Sequence, residues 1–174
     1  MLMKRIGIDI AKKAKIIGIC EEWYQDLKKI DSVESLANMY IKGIDFCLAN
    51  NFPSNDYIRT NFKGKIEEFG IHIDEEFDAS NWRKIVALGS CRATIEINHF
   101  YISEIFLKNN SILNLKAKDH AFVMIDAFDD AKIKVKTYGE AKVVVNRYGN
   151  AEVNIVEKGK NSTVKIVAKN KKTY

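Results

Sequence analysis

Four near-copies of one ten-residue phrase follow one another in this chain: Asp119-His-Ala-Phe-Val-Met-Ile125, Asp129-Asp-Ala-Lys-Ile-Lys-Val135, Gly139-Glu-Ala-Lys-Val-Val-Val145 and Gly149-Asn-Ala-Glu-Val-Asn-Ile155. In each copy an alanine is followed two and four places later by an aliphatic residue. The period of two indicates a β-strand, and the longer period indicates a repeat architecture. The phrase therefore predicts a fold and carries no catalytic chemistry.

Weaker copies of the phrase lie on either side of these four and begin at Ala93, Ser103, Ser111 and Ser162. The spacing of the leading small residues is ten in the middle of the array. It falls to eight between Ser103 and Ser111 and rises to eleven before Ser162. Irregular terminal copies are typical of stacked repeats. The array is therefore expected to be less regular at its two ends.

The alternation predicts that one side of each strand faces a core, for example Ala131, Ile133 and Val135. An antiparallel β-meander or sandwich satisfies this alternation, with Gly139-Glu140 and Gly149-Asn150 as turns. It gives no reason for residue types to recur in phase. A parallel β-solenoid does, because equivalent positions of successive coils lie about 4.8 Å apart. We therefore predict a β-solenoid and keep the antiparallel fold as the alternative.

The length of one coil follows from the size of the strands. A closed coil of ten residues has a contour of about 33 Å, and two sheets about 10 Å apart leave it almost no room for side chains. We therefore predict coils of about twenty residues, each made of two decapeptides. Ala121 then stacks near Ala141, and Ala131 stacks near Ala151.

Helical periodicity dominates the N-terminal part of the chain. We predict helices from Asp9 to about Ile17, from Glu21, after Asp31 and after Ser54. The acidic, weakly patterned segment 74–82 separates the two kinds of periodicity. The predicted domains are a helical N-terminal domain, residues 1–80, and a β-repeat solenoid domain, residues 81–174. The fold class is α+β, and we expect the helices to form a cap over one open end of the solenoid.

The net charge of +5 and the isoelectric point near 9.0 are compatible with contact to nucleic acid or an acidic partner. The candidate binding residues are basic side chains of the repeat region and of the C-terminal segment. They are Lys132, Lys134, Lys136, Lys142, Arg147, Lys169, Lys171 and Lys172.

The cysteines, Cys20, Cys47 and Cys91, are odd in number and far apart, which favours neither a disulfide framework nor a zinc site. Charged residues interrupt the apolar opening of the chain, and no run approaches 18 apolar residues. We therefore expect a cytoplasmic protein without membrane contact.

Chemical signatures are sparse. His72, His99 and His120 lack the spacing of a metal site. The densest acidic group of the repeat region consists of Asp126, Asp129 and Asp130, but acid–base chemistry needs an opposing carboxylate and a cleft. Aspartate at a coil corner is also favoured by turn geometry. We predict no catalytic residue, no metal site and no cofactor.

Four short motifs carry a resemblance: Gly18-Ile-Cys-Glu-Glu-Trp23, Gly43-Ile-Asp-Phe46, Asn51-Phe-Pro-Ser54 and Tyr148-Gly-Asn-Ala151. Together they resemble small uncharacterised bacterial proteins of prophages and other mobile elements, over most of the chain. The resemblance implies a shared two-part architecture, with a helical N-terminal part and a short β-repeat C-terminal part. It implies no activity and no site residues.

Strong repetition without catalytic signatures predicts a non-enzymatic structural or protein-interaction module. Such a module binds a protein partner, or self-associates, through a rigid face or an open end. The first alternative is contact with nucleic acid through the basic residues. The second is an enzyme acting on an acidic polymer, which would use Asp126, Asp129 and nearby basic residues.

Overall fold

A computed structural model describes the chain from residue 2 to residue 174, with side chains from residue 5 onward. The chain divides into two compact units, one running up to Phe69 and including Tyr174, and the other covering Gly70–Thr173. The first unit is helical and the second is built of β-strands. The predicted α+β class is confirmed.

Five helices and one 3-10 turn form the N-terminal unit: α1 (Leu2–Ile16), α2 (Glu21–Lys29), α3 (Val33–Lys42), α4 (Ile44–Asn50), α5 (Asn55–Asn61) and the 3-10 turn Glu67–Phe69. Helices α3 and α5 begin at serines whose hydroxyl oxygens accept a hydrogen bond from the backbone. Ser32 accepts from the N–H of Ser35 at 3.1 Å, and Ser54 accepts from the N–H of Tyr57 at 3.3 Å. Both serines therefore act as N-caps.

Helix α1 begins before Asp9, so the prediction that this residue starts the helix is wrong. Its carboxylate instead pairs with Lys13 at 2.8 Å, one turn further on, and accepts a hydrogen bond from the Tyr57 hydroxyl at 3.0 Å. The hydrogen bond from Lys13 is the main cause of the lowered pKa of Asp9. The helix begins earlier because Gly7, Ile10, Ala11 and Ala14 form one buried face that starts before Asp9.

Eleven strands form the second unit: β1 (Ile71–Ile73), β2 (Glu76–Ser80), β3 (Lys84–Leu88), β4 (Arg92–Ile97), β5 (Ile102–Leu107), β6 (Ile112–Ala117), β7 (Phe122–Ala127), β8 (Lys132–Thr137), β9 (Lys142–Arg147), β10 (Glu152–Lys158) and β11 (Thr163–Ala168). The odd strands make a six-stranded sheet and the even strands a five-stranded sheet. Every pairing within the described chain is parallel. The β-solenoid is confirmed, and the antiparallel alternative is wrong.

The strand register confirms coils of two decapeptides. Phe122 pairs with Lys142, so Ala121 stacks on Ala141, and the Lys142 N–H donates to the Ala121 carbonyl at 2.8 Å. The Glu152 N–H donates to the Ala131 carbonyl at the same distance in the other sheet. Alternate residues of each strand fill the space between the sheets, and this interior is the hydrophobic core of the unit.

The solenoid begins earlier than the predicted boundary between residues 80 and 81. Strands β1 and β2 precede that boundary and belong to the second unit. In β2, Phe77 and Ala79 pack against the core, whereas Glu76 and Asp78 are exposed. The sequence did not indicate a strand at β2, because its outward residues are polar and no small residue precedes its apolar positions.

The turns fix the phase of the repeat. A residue with positive φ recurs every ten positions between the strands, at Gly89, His99, Asn109, Asp119, Asp129, Gly139 and Gly149. The position equivalent to Ala121 in the preceding coil is Tyr101, whose carbonyl accepts from the Phe122 N–H at 2.9 Å. The choice of Ala93 and Ser103 as leading residues of their copies is therefore wrong. Each lies two places further along its strand, at another inward-facing position, because Ala93 pairs with Leu113 and Ser103 pairs with Val123.

The spacing of eleven before Ser162 is real and has a local cause. In β10, Ile155 pairs with Val135 whereas Glu157 pairs with Lys136, so Val156 is an extra residue in a β-bulge. A bulge leaves one residue unpaired and bends its strand. The solenoid thus absorbs the insertion within one strand.

Candidate functional site

The last coil presents two strand edges. Within the described chain, β10 pairs only with β8, and β11 pairs only with β9. The opposite edge of each strand therefore faces away from the solenoid with its backbone donors and acceptors unpaired in the sheet. We call this surface, made of β10 and β11, the terminal rung. Such edges are templates for pairing with another chain.

At the terminal rung, apolar side chains in inward-facing positions are exposed to solvent. Ile155 continues the column of Val135, and Ile166 continues the column of Val145. Val135 and Val145 are 0% exposed, whereas Ile155 is 40% exposed and Ile166 is 42% exposed. The same inward position is buried when a coil follows it and open at the terminal rung.

Three of the predicted basic residues share one surface. Lys132, Lys134 and Lys136 all point outward from β8, which lies between β10 and β6 in the five-stranded sheet. Alternate residues of a strand lie about 6.6 Å apart, so the three stems form a regular row. Lys116 lies beside Lys136 in the neighbouring strand. We call these four residues the lysine row.

The lysine row is only partly neutralised. Lys132 lies 4.0 Å from Glu152, and Lys116 lies 3.5 Å from Glu96. Glu96 also binds Lys118, and that hydrogen bond is the main cause of its lowered pKa. Among the described side chains, Lys134 and Lys136 form no ion pair. The centre of the row therefore keeps its positive charge available.

The other predicted basic residues do not join this surface. Lys142 and Arg147 lie on β9, which belongs to the six-stranded sheet. The remaining three, Lys169, Lys171 and Lys172, follow β11. The predicted set is thus divided between two sheets and the C-terminal segment.

The three aspartates join successive coils. Asp126 accepts a hydrogen bond from the Asn146 amide at 2.6 Å, and Asp130 accepts one from the Asn150 amide at 3.2 Å. Asp129 accepts from the Asn109 backbone N–H at 3.1 Å. These hydrogen bonds give the three aspartates a structural role, because each one connects two neighbouring coils. The hypothesis of an enzyme acting on an acidic polymer stays a prediction without support from them.

The histidines are also engaged locally. His72 is buried, stacks on Phe77 at 3.6 Å and lies 2.7 Å from a Glu75 carboxylate oxygen. His120 stacks on Phe100 at 4.7 Å between ring centres. In the described part of the chain, no three His, Cys, Asp or Glu side chains come together as a group that could hold a metal ion.

One exposed apolar corner was not found from the sequence. Phe100 is 78% exposed, and Tyr101 and Ile102 beside it are also exposed. Tyr101 occupies the position that alanine fills in the later coils, and a tyrosine is too large for that site. The ten-residue recurrence of turn residues could have revealed this substitution, because it fixes which residue takes the alanine position.

No helix in the described chain combines the length and the apolar character needed to cross a membrane. Comparisons of this chain with protein-family models, with curated proteins and with solved structures found no match. The functional argument therefore depends on the terminal rung and the lysine row.

Proposed function

We propose that this chain is a non-enzymatic interaction protein that binds another protein chain through its terminal rung. The observation that supports this most strongly is the exposure of Ile155 and Ile166, whose counterparts one coil earlier are fully buried. An added strand would pair the free backbone edge and cover these side chains. Strand addition of this kind is a recurring mode of protein recognition.

Covering the terminal rung with another strand buries apolar surface, which favours association. Fully burying one Val or Ile side chain contributes about 1.5–3 kcal/mol. Four inward-facing residues of the rung are incompletely covered, namely Val153, Ile155, Val164 and Ile166. Completing their burial therefore contributes several kcal/mol, estimated at about 1 kcal/mol each because they are already partly buried. Backbone hydrogen bonds of the added strand supply the geometry of pairing.

We expect the substitution Ile155→Asp to abolish association, because pairing would then bury a carboxylate without a partner. Self-association is the form that can be measured directly. Size-exclusion chromatography with light scattering, over a range of protein concentrations, should show dimers or larger species for the natural sequence. The Ile155→Asp variant should remain monomeric throughout the same range.

The matched control is Asn114→Asp. Asn114 is exposed on the outer face of β6 and occupies the same place in its strand as Asn154 does in β10, but it lies two strands away from the terminal rung. This variant introduces the same carboxylate outside the contact, so it should associate as the natural sequence does. A natural sequence that is strictly monomeric at high concentration, or equal effects of the two substitutions, would contradict self-association through the terminal rung.

A second candidate function is supported by the lysine row. We propose that it contacts the phosphates of a single-stranded nucleic acid. Lys134 and Lys136 are exposed, and their charges are not paired among the described side chains. Their regular spacing along one strand suits a linear polyanion better than a compact anion. Lys142 belongs to the other sheet and is not part of this contact.

We expect Lys134→Glu to weaken binding to single-stranded DNA or RNA and to reduce its salt dependence. Each phosphate contact adds about 0.7 to the slope of log affinity against log salt concentration for single strands. Fluorescence anisotropy of a labelled oligonucleotide over a salt series measures both quantities.

The control is Lys142→Glu, which makes the same charge change on the opposite sheet and should leave the salt slope nearly unchanged. If the natural sequence fails to bind at low salt, the lysine row is not a nucleic-acid site. Equal losses in the two variants would show that net charge, and not the row, governs the contact.

A further inference from the structure

We propose that the chain seated on the terminal rung is a second copy of this protein, and that β10 of each copy pairs antiparallel with β11 of the other. This inference rests on the proposed function, because it specifies the partner and the strand arrangement of the same surface. The resulting dimer has two-fold symmetry, and its two strand contacts are identical. Closed two-fold dimers are the commonest form of homo-oligomer.

Two arrangements bring a pair of terminal rungs together about a two-fold axis. Strands β10 and β11 run in opposite directions, because each coil goes out along one sheet and returns along the other. An axis parallel to the strands places β10 against β11 of the second copy. An axis perpendicular to the sheets places β10 against β10 and β11 against β11. Both arrangements give antiparallel pairs, so charge must decide between them.

The outward faces of the two strands carry opposite charges. Glu152 and Glu157 are exposed on β10, whereas Lys165 is exposed at the centre of β11. Pairing β11 with its own copy would bring Lys165 toward Lys165 of the second copy. Like charges opposite one another in a strand pair are destabilising, and opposite charges are favourable. The charges therefore favour pairing β10 with β11.

The apolar positions also match in that arrangement. Ile155 on β10 and Val164 on β11 lie at the same distance from the turn that joins the two strands. Val153 and Ile166 also lie at equal distances from this turn. An axis parallel to the strands keeps each residue at its level. Ile155 then covers Val164 of the second copy, and Val153 covers Ile166 of the second copy. The inward faces meet each other, and the two cores become continuous.

The bulge sets the extent of the contact. Val156 interrupts the regular part of β10, so the pairing runs from Glu152 to Ile155. The facing segment of the second copy is 164–167. At the centre of this segment, Asn154 lies opposite Lys165 of the second copy. Side chains directly opposite in an antiparallel pair have Cβ atoms about 4.5–5.5 Å apart, which is close to the span of a disulfide.

Cysteine cross-linking tests this arrangement directly. The exposed Cys20 is first replaced by serine, whereas Cys47 and Cys91 are buried, and burial raises the pKa of Cys47 to about 12. Asn154→Cys and Lys165→Cys are then made as separate single variants of this background. After mild oxidation, we expect a disulfide-linked dimer in an equal mixture of the two and no linked dimer in either variant alone. Thermal melts confirm that both variants are folded.

The outcomes separate this inference from the proposed function. If the Asn154→Cys variant links to itself, or if the mixture does not link although light scattering shows dimers, the pairing of β10 with β11 is wrong, and the Ile155→Asp variant decides whether the dimer forms through the rung. If the natural sequence and the variants are all monomeric, the self-association behind both proposals is wrong.

Discussion

Replacing Ala141 with glutamate is expected to unfold the solenoid unit or make the protein insoluble. Ala141 is 0% exposed and stacks between neighbouring coils, with its carbonyl accepting the Thr163 N–H at 2.9 Å and the preceding alanine directly beside it. A glutamate overfills this layer at a cost of about 1–3 kcal/mol and also buries an unpaired carboxylate. The combined loss is several kcal/mol, estimated at about 3–6 kcal/mol from these two effects. Thermal unfolding followed by circular dichroism measures it.

Lys142→Glu is the matched control, because it places the same side chain one residue further along the chain. Lys142 points outward and is exposed. A surface substitution of this kind changes the free energy of unfolding by about 0.5 kcal/mol or less. Equal effects of the two substitutions, or a larger effect at Lys142, would contradict the assignment of the inward face and the solenoid built on it.

Replacing Phe128 with alanine is expected to lower the free energy of unfolding by about 3–5 kcal/mol. Phe128 is 0% exposed at a corner of the solenoid and stacks on Tyr148, with 4.5 Å between ring centres. The Lys108 ammonium lies 5.3 Å from the Phe128 ring centre on the preceding coil. The substitution removes both contacts and leaves a cavity that the rigid stack of coils cannot close. Denaturant unfolding of the purified variant gives the value.

Tyr138→Ala is the comparison for this prediction, because Tyr138 occupies the equivalent place in the next decapeptide. It lies at the opposite corner, where it is only partly buried and its hydroxyl donates to Glu157. That hydrogen bond is the main cause of the raised pKa of Tyr138. Its removal should cost clearly less than that of Phe128. A larger loss of unfolding free energy for Tyr138→Ala than for Phe128→Ala would contradict the view that burial determines how much each aromatic residue stabilises the solenoid.

The parallel stacking of coils could be predicted from the sequence because it places like residues side by side. Ala121 and Ala141 are twenty positions apart and belong to one ladder, and Ala131 and Ala151 belong to the other. Only parallel coils of this length place the recurring alanines next to one another. The amino-acid pattern therefore suffices to predict the fold class, the coil length and the inward face.

The limits of the solenoid were less visible in the sequence. Strand β2 carries acidic residues outward, and Tyr101 takes a position that elsewhere holds alanine. Residue type alone assigned the wrong phase there. The backbone conformation assigned it correctly, because the turn residue with positive φ recurs at the same interval in every regular coil.

The repeated phrase is enough to establish stacked coils with alternating inward and outward residues. It does not establish which basic residues share a surface, because Lys136 and Lys142 are close in sequence and lie on different sheets. Nor does it distinguish Ile155 from Val135, which occupy the same place in the same phrase. The three-dimensional stacking makes one exposed and the other buried, because the burial of a solenoid residue depends on whether another coil lies on top of it.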